Sequence, residues 1–306
     1  MRVLLAGATG AVGRPLTTAL QLAGHEVVAL TRDPARADGM TERGVTPVIA
    51  DALDRDALLR AADGVSFDAV VHQLTALRKP PVRHSGMTLT NTLRTIGTRN
   101  LLELAIANGA KRFVTQSIVF GYGYTDHGPH VLTEDAPFGG PVKGRTAPHV
   151  RAMGVNEQLV LEHHDLDGMA LRYGLFYGGD DMAQLLRARK VPVPRDGGHL
   201  AWIHLDDAVS ATVAALEKGS PGSAYNIVDD EPASWRTVMT ALAKAYGAPA
   251  PRVLPAWLLR LGAPYAGAVA LDTSLHVSSA KARRELDWAP AHPTVRHDAA
   301  VIARTR

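Results

Sequence analysis

The chain has no cysteine among its 306 residues. That excludes disulfides, thiolate metal sites, iron–sulfur clusters and a cysteine nucleophile. Aromatic residues are few, with four tryptophans, seven tyrosines and five phenylalanines, which argues against a stacking platform for nucleic acid. Charge of one sign is scarce too, since 33 Lys and Arg face 30 Asp and Glu for a net +3. The densest basic cluster, Lys281, Arg283 and Arg284, runs straight into Glu285 and Asp287, the pattern of a solvated helix face. No apolar run reaches the ~18–20 residues of a membrane span. Thirteen histidines are present without a His-Glu-x-x-His spacing, so no metal site is expected. These absences leave a soluble, cytoplasmic protein with a small-molecule partner, no nucleic acid and no membrane. Its composition, 46% hydrophobic and 21% charged, suits a sizeable core.

The N-terminal segment flows into glycines rather than into a cleavage site, so it reads as a first strand and not as a signal peptide. Short Val-rich runs at Arg2–Ala6, Glu26–Leu30, Thr46–Ala50, Ala69–Gln73 and Arg112–Gln116 predict strands covered on both faces. Helical periodicity falls between them at Gly13–Ala23, Asp54–Ala62 and Leu89–Asn108. This alternation predicts an α/β chain, a doubly wound parallel sheet of the Rossmann type. A long helix over Thr146–His164 and a strand over Met169–Phe176 follow, and then the alternation breaks. Residues 1–176 are therefore expected to form the dinucleotide domain, and 177–306 a smaller C-terminal substrate lobe interleaved with it.

Gly7-Ala-Thr-Gly10-Ala-Val-Gly13 lies where the first strand meets the first helix. Glycines there permit a tight turn and close approach to a pyrophosphate, with free helix N–H groups behind it. Gly7, Thr9, Gly10, Ala11, Val12 and Gly13 are the expected cradle. The second strand ends in Thr31-Arg32-Asp33. An arginine at that place suits the 2′-phosphate of NADP, so Arg32, helped by Arg36, favours NADP, while Asp33 leaves NAD open. Asp51 and Ala52, past the third strand, are placed for the adenine edge, and Gln73 ends the fourth strand beside the cofactor.

Together with Gly7–Gly13, the segments Asp51-Ala52-Leu53, Leu171–Gly179, Trp202–Ala208, Ala224–Val228 and Arg284–Pro290 resemble the extended short-chain dehydrogenase/reductase family, the NAD(P)-dependent epimerases, dehydratases and related reductases. The resemblance covers nearly the whole chain. It implies a nicotinamide cofactor, a C-terminal substrate lobe and a homodimer built through a four-helix bundle. It also implies a catalytic Ser or Thr after the fifth strand and a Tyr-x-x-x-Lys on the next long helix. Here the sequence departs, because no tyrosine is followed four residues later by lysine. If Glu157 is the family's glutamate, Met153 takes the place of the lysine and His149 that of the tyrosine. Counting back from Phe120-Gly121 puts Gln116 at the Ser/Thr position, with Ser117 next to it.

Proton transfer then falls to His149, whose unperturbed imidazole titrates near ~6.5, or to Tyr122 or Tyr124 in the loop after the fifth strand. Ser117 is expected to hydrogen-bond a substrate oxygen. Gln116, Arg172, Tyr173 and Tyr177, at the carboxyl ends of strands, are expected to line the substrate site. The function expected is an NADP-dependent oxidoreductase or isomerase acting on a small carbonyl or alcohol. The alternatives are a non-catalytic NADP-binding sensor and an enzyme of the same fold doing non-redox chemistry.

Overall fold

In a computed structural model, which describes residues 1–77 and 79–304, the Val-rich runs become one sheet. Its strands are β1 (Arg2–Ala6), β2 (Glu26–Thr31), β3 (Thr46–Ile49), β4 (Ala69–His72), β5 (Arg112–Ile118), β6 (Asp167–Tyr173) and β7 (Ser223–Ile227). They lie in the order β7-β6-β5-β4-β1-β2-β3 and all pair in parallel. The order reverses between β1 and β4, where such sheets leave a crevice at the carboxyl ends of their strands.

Both faces of the sheet are covered, which is why its strands read as continuous apolar runs. On one face α1 (Gly13–Leu22) sets Leu16 and Leu20 among Val3, Leu5, Val27 and Ala29. On the other, Leu58 of α2 (Arg55–Ala61) joins Leu4, Val28, Val70 and Phe113. Beside α2 runs α3, residues 88–107, in which a π turn, Leu93–Gly97, is set between the α segments Thr88–Thr92 and Thr98–Ala107. Next come α4 (Ala147–Leu161), α5 (Leu205–Lys218), α6 (Trp235–Ala245), α7 (Ala256–Gly262), α8 (Pro264–Asp272) and α9 (Ala280–Leu286). Helix α5 packs on α1, so α5 and β7, both from beyond residue 177, belong to the sheet and its helical layer.

A second core gathers Tyr177, Val193, Trp202, Val238, Met239, Leu242 and Val269, and it reaches Phe120 and Met153. Two details differ from the sequence expectation. The strand expected at Met169–Phe176 divides at Gly174, β6 staying in the main sheet while Leu175–Tyr177 pairs with Trp202–His204. A Cβ on Gly174 would stand 2.7 Å from the Trp202 carbonyl carbon, so only glycine lets the chain cross there. The apolar stretch Pro255–Ala270 divides into α7 and α8 because Pro264 starts a new helix.

A chain of polar groups crosses the interior under the crevice. The Leu74 N–H donates to His72 Nδ1 at 3.2 Å, which leaves the ring proton on Nε2, facing Thr98 Oγ1 at 3.1 Å. Thr98 and Thr115 hydroxyls donate to Asn156 Oδ1 at 2.8 and 3.0 Å. Complete burial, with the Arg94 charge adding to it, holds the His72 imidazole down at about 4. Unfolded histidine titrates near ~6.5. The stabilising contribution of neutral His72 is therefore whole above ~6.5 and is lost as pH falls toward the folded value, about 3 kcal/mol over that window. Urea unfolding between neutral and acid pH should show a steeper loss for the native chain than for His72→Gln. Parallel pH profiles would contradict this assignment.

Candidate active site

The phosphate turn is built from two contacts that tolerate no side chain. Gly7 has φ +105°, and a Cβ there would lie 2.7 Å from the Gln73 carbonyl oxygen. A Cβ on Gly13 would lie 2.0 Å from the Gly7 carbonyl oxygen. Gly10 differs, since its Cβ would meet only the Gly7 oxygen, at 3.3 Å, and otherwise faces open space. No side chain caps α1, whose N-cap is Val12; the Arg14 N–H already donates to the Gly10 carbonyl at 3.1 Å and Pro15 has none, so the helix offers an anion its dipole and the N–H groups ahead of Arg14. Gln73, at the foot of the turn, is buried with its Oε1 unpartnered. Open glycine face, uncapped helix and orphan acceptor together fit a dinucleotide.

Past the end of β2, the Arg32 side chain stands 61% exposed, with its Nη1 3.9 Å from Asp51 Oδ2. The other Asp51 oxygen accepts the Leu53 N–H at 3.0 Å, and the Ala52 carbonyl accepts from Asn100 at 2.8 Å. Asp33 turns its carboxylate to its own neighbours, accepting from the Ala35 N–H and from Arg36 Nε. Arg36 is thus held by Asp33 rather than standing free beside Arg32.

Across the crevice lies a buried polar cluster. His149 is 3% exposed on the first turns of α4, with Met153 one turn on and buried in the second core. Its Nδ1 faces the Asn91 amide nitrogen at 2.9 Å, and its Nε2 meets His84 Nδ1 at 3.0 Å, the two rings nearly parallel. Tyr124 stacks on Phe120, lies 6.3 Å from the His149 ring between centroids, and shares a 2.9 Å hydrogen bond with the hydroxyl of Tyr265 from α8. The buried Arg94, on the π turn of α3, sends its charge into this group.

Several expectations are corrected here. His149 does not titrate near the ordinary histidine value, because burial, then His84, then Arg94 push it down to about 4. It is neutral at physiological pH and holds no spare proton. The Tyr122 phenol is engaged within the fold: its one proton faces Asn226 Oδ1 at 2.8 Å and the Thr133 carbonyl at 3.0 Å, its oxygen accepts from Arg172, and burial raises it to about 12. The Arg172 guanidinium is taken up by Glu157, onto which it forks at 2.7–3.1 Å deep in the fold. Tyr173 is fully buried between Gln73 and Thr212. Tyr177 packs its ring on His204 and points its hydroxyl at the His292 carbonyl. Gln116 donates to the Leu74 carbonyl at 3.0 Å, while the buried Ser117 Oγ has no partner.

His204 caps α5 by accepting the Asp206 N–H, and its ring stacks 3.8 Å from that of His292. His204, Asp206 and His292 bring one potential ligand atom each within 4.8 Å of one another, a grouping without a local spacing in the sequence. Residues His84, Asn91, Arg94 and Tyr265 of the His149 cluster carried no motif. Asn91 and Arg94, three apart on one helix, were the only readable signal, since polar residues facing a core at that spacing ask for a partner.

Residues 3–228 match the model of the NAD dependent epimerase/dehydratase family. A 3-diazoavenalumate denitrifying reductase from a Streptomyces species is 43% identical over 97% of this chain and 98% of its own. A 2-alkyl-3-oxoalkanoate reductase of Stenotrophomonas maltophilia is 28% identical over 81% of this chain and 77% of its own. Among solved structures, a human epimerase family protein with NADPH superposes with a TM-score of 0.76 over 100% of both chains at 21% identity, a likeness of fold. Among the described residues no helix is long and apolar enough to cross a membrane. By fold, family match and relatives, this chain belongs to the NAD-dependent epimerase/dehydratase family and is an NAD(P)-dependent enzyme of the oxidoreductase and epimerase type.

Proposed function

We propose that the chain is an NADPH-dependent reductase of a small carboxylate, and that a diazo carboxylate is its acceptor. The observation that carries this reading is the pair His149 and Met153 on one face of α4, a neutral imidazole and a thioether that stand at the places of the family's phenol and lysine when Glu157 is taken as its glutamate. A carbonyl reduction places charge on an oxygen and calls for a proton at that atom. Replacement of the diazo group by hydrogen breaks the carbon–nitrogen bond, consumes one hydride from the reduced nicotinamide and one proton from solvent, and releases N2, with no alkoxide to neutralise. A site without the phenol–lysine relay suits the second reaction, and the 43% identical relative is named for it.

In this reading the reduced nicotinamide supplies the hydride. The backbone of Gly7, Thr9, Gly10, Ala11, Val12 and Gly13 holds the pyrophosphate, Asp51 and Ala52 border the adenine, and Gln73 closes the floor. Arg32 meets the 2′-phosphate, its partner Asp51 being 3.9 Å away and half-exposed. His149 bridges Asn91 and His84 as a neutral hydrogen-bonding group and keeps the wall of the site in register. The outer faces of α3 and α4 form the contact of a homodimer, where Leu89, Ile96 and Ile106 are 41–47% exposed.

The test is to supply NADPH and 3-diazoavenalumate to the purified protein and follow nitrogen release and cofactor oxidation. One N2 released for each NADPH oxidised supports the reading. Tight NADPH binding with no turnover against diazo, oxo and sugar-nucleotide acceptors would instead favour a sensor, and turnover of 3-oxo acids alone would favour a carbonyl reductase. For the cofactor choice, Arg32→Ala should weaken NADPH by roughly tenfold or more while leaving NADH nearly unchanged, the loss of a charge-assisted contact of about 1.5–3 kcal/mol. Equal losses for both cofactors would remove Arg32 from that role.

A further inference from the structure

Arg94 has no task in the reaction proposed above. The residue is only 5% exposed, and among the described residues its Nε and Nη1 find no acceptor. Among the described residues no carboxylate forms an ion pair with it, and burial keeps the neighbouring phenols of Tyr124 and Tyr265 protonated and uncharged. This is unlike the other deeply buried guanidinium, Arg172, which is fully matched by Glu157. A buried charge with no counter-charge is among the most costly features a core can hold. A π turn, a distortion frequent at functional sites, carries it to this place on α3.

We propose that Arg94 is the anchor for the carboxylate of the substrate, and that the rings of Tyr124, Tyr265 and Phe120 favour an unsaturated or aromatic acid over an aliphatic one. The inference rests on the reading of the chain as a reductase of a small carboxylate. A guanidinium with free N–H edges accepts a carboxylate through two parallel bonds. The anion then supplies the counter-charge that the fold withholds. The surrounding groups agree with this. His84, Asn91 and His149 form a neutral set bonded to one another, so no nearby anion competes for the guanidinium. The cation in turn disfavours protonation of His149, keeping the wall neutral until a carboxylate arrives.

The test separates binding from turnover, using cinnamate as an unsaturated aromatic carboxylate probe and cinnamamide as its neutral counterpart. Calorimetric titration of the NADPH-loaded protein should show cinnamate bound at least tenfold more tightly than cinnamamide. Arg94→Gln should erase that preference, and Arg94→Lys should keep part of it. A second measurement is thermal unfolding. Arg94→Met should melt higher than the native chain, because it removes an unmatched charge, whereas a purely structural arginine would melt lower when removed. Equal affinity for acid and amide, no binding of cinnamate by the native chain, cinnamate affinity unchanged in Arg94→Gln, or a lower melting point of Arg94→Met overturns the proposal. Failure of the diazo reduction alone, with cinnamate still bound through Arg94, would overturn the reaction and leave the anchor standing.

Discussion

Arg172→Met should cost about 3–5 kcal/mol of folding free energy, a fall in Tm on the order of 10 °C. Arg172 and Glu157 are 6% and 5% exposed at the side chain and meet at 2.7 Å. Removing the cation strands a carboxylate in the core, along with the Tyr122 hydroxyl that accepts from Arg172 at 2.9 Å. The guanidinium also lies 3.9 Å above the Phe138 ring, so packing is lost as well as charge. Adding Glu157→Leu to the same chain should restore most of the stability, since a buried pair replaced by apolar groups is close to neutral. Denaturant unfolding of the single and double variants decides it. A single-variant loss below about 1 kcal/mol would place the pair among weak surface-like bridges.

This pair also shows why part of the site was unreadable. Glu157 served in the sequence as a register mark for His149, and the structure gives it a separate task. Tyr122, a plausible proton donor from its place after the fifth strand, is claimed by Arg172 and Asn226, 50 and 104 residues away. No local pattern reports such partners. The strands and the glycine turn were legible because their causes are local: two-sided burial writes apolar runs, and close backbone approach writes glycine. His149 was found through helical spacing, yet its depressed pKa depends on burial against His84 and Arg94, which only packing reveals. Arg94 sits on a π turn, which breaks the 3.6-residue periodicity that would have pointed inward. Tyr265 comes from the far end of the chain and meets Tyr124 across 141 residues.

The second large effect concerns the phosphate turn. Gly13→Ala should weaken NADPH binding by roughly a hundredfold, about 3 kcal/mol. The added methyl would stand 2.0 Å from the Gly7 carbonyl oxygen and 2.8 Å from the Ala8 Cα, both backbone atoms that cannot swing aside. The turn must open, and the donors of α1 move with it. Gly10→Ala is the informative control. Its methyl approaches only the Gly7 oxygen, at 3.3 Å, so the fold should hold and any loss of affinity reports a ligand lying against that face. Fluorescence titration of NADPH with a parallel melting curve separates the two. Native affinity in Gly13→Ala would remove the turn from cofactor binding.

The crossing at Gly174 has a consequence for how this protein can change. Its N–H donates to the Ile227 carbonyl at the sheet edge, and the next N–H, of Leu175, donates to the Ala201 carbonyl in the lobe. Successive residues thus belong to different bodies, with no linker between them to bend or to lengthen. A recombination event that grafts a foreign lobe at this boundary would have to reproduce both bonds and the glycine between them. Change at this boundary is therefore confined to exchanging side chains one at a time rather than trading modules.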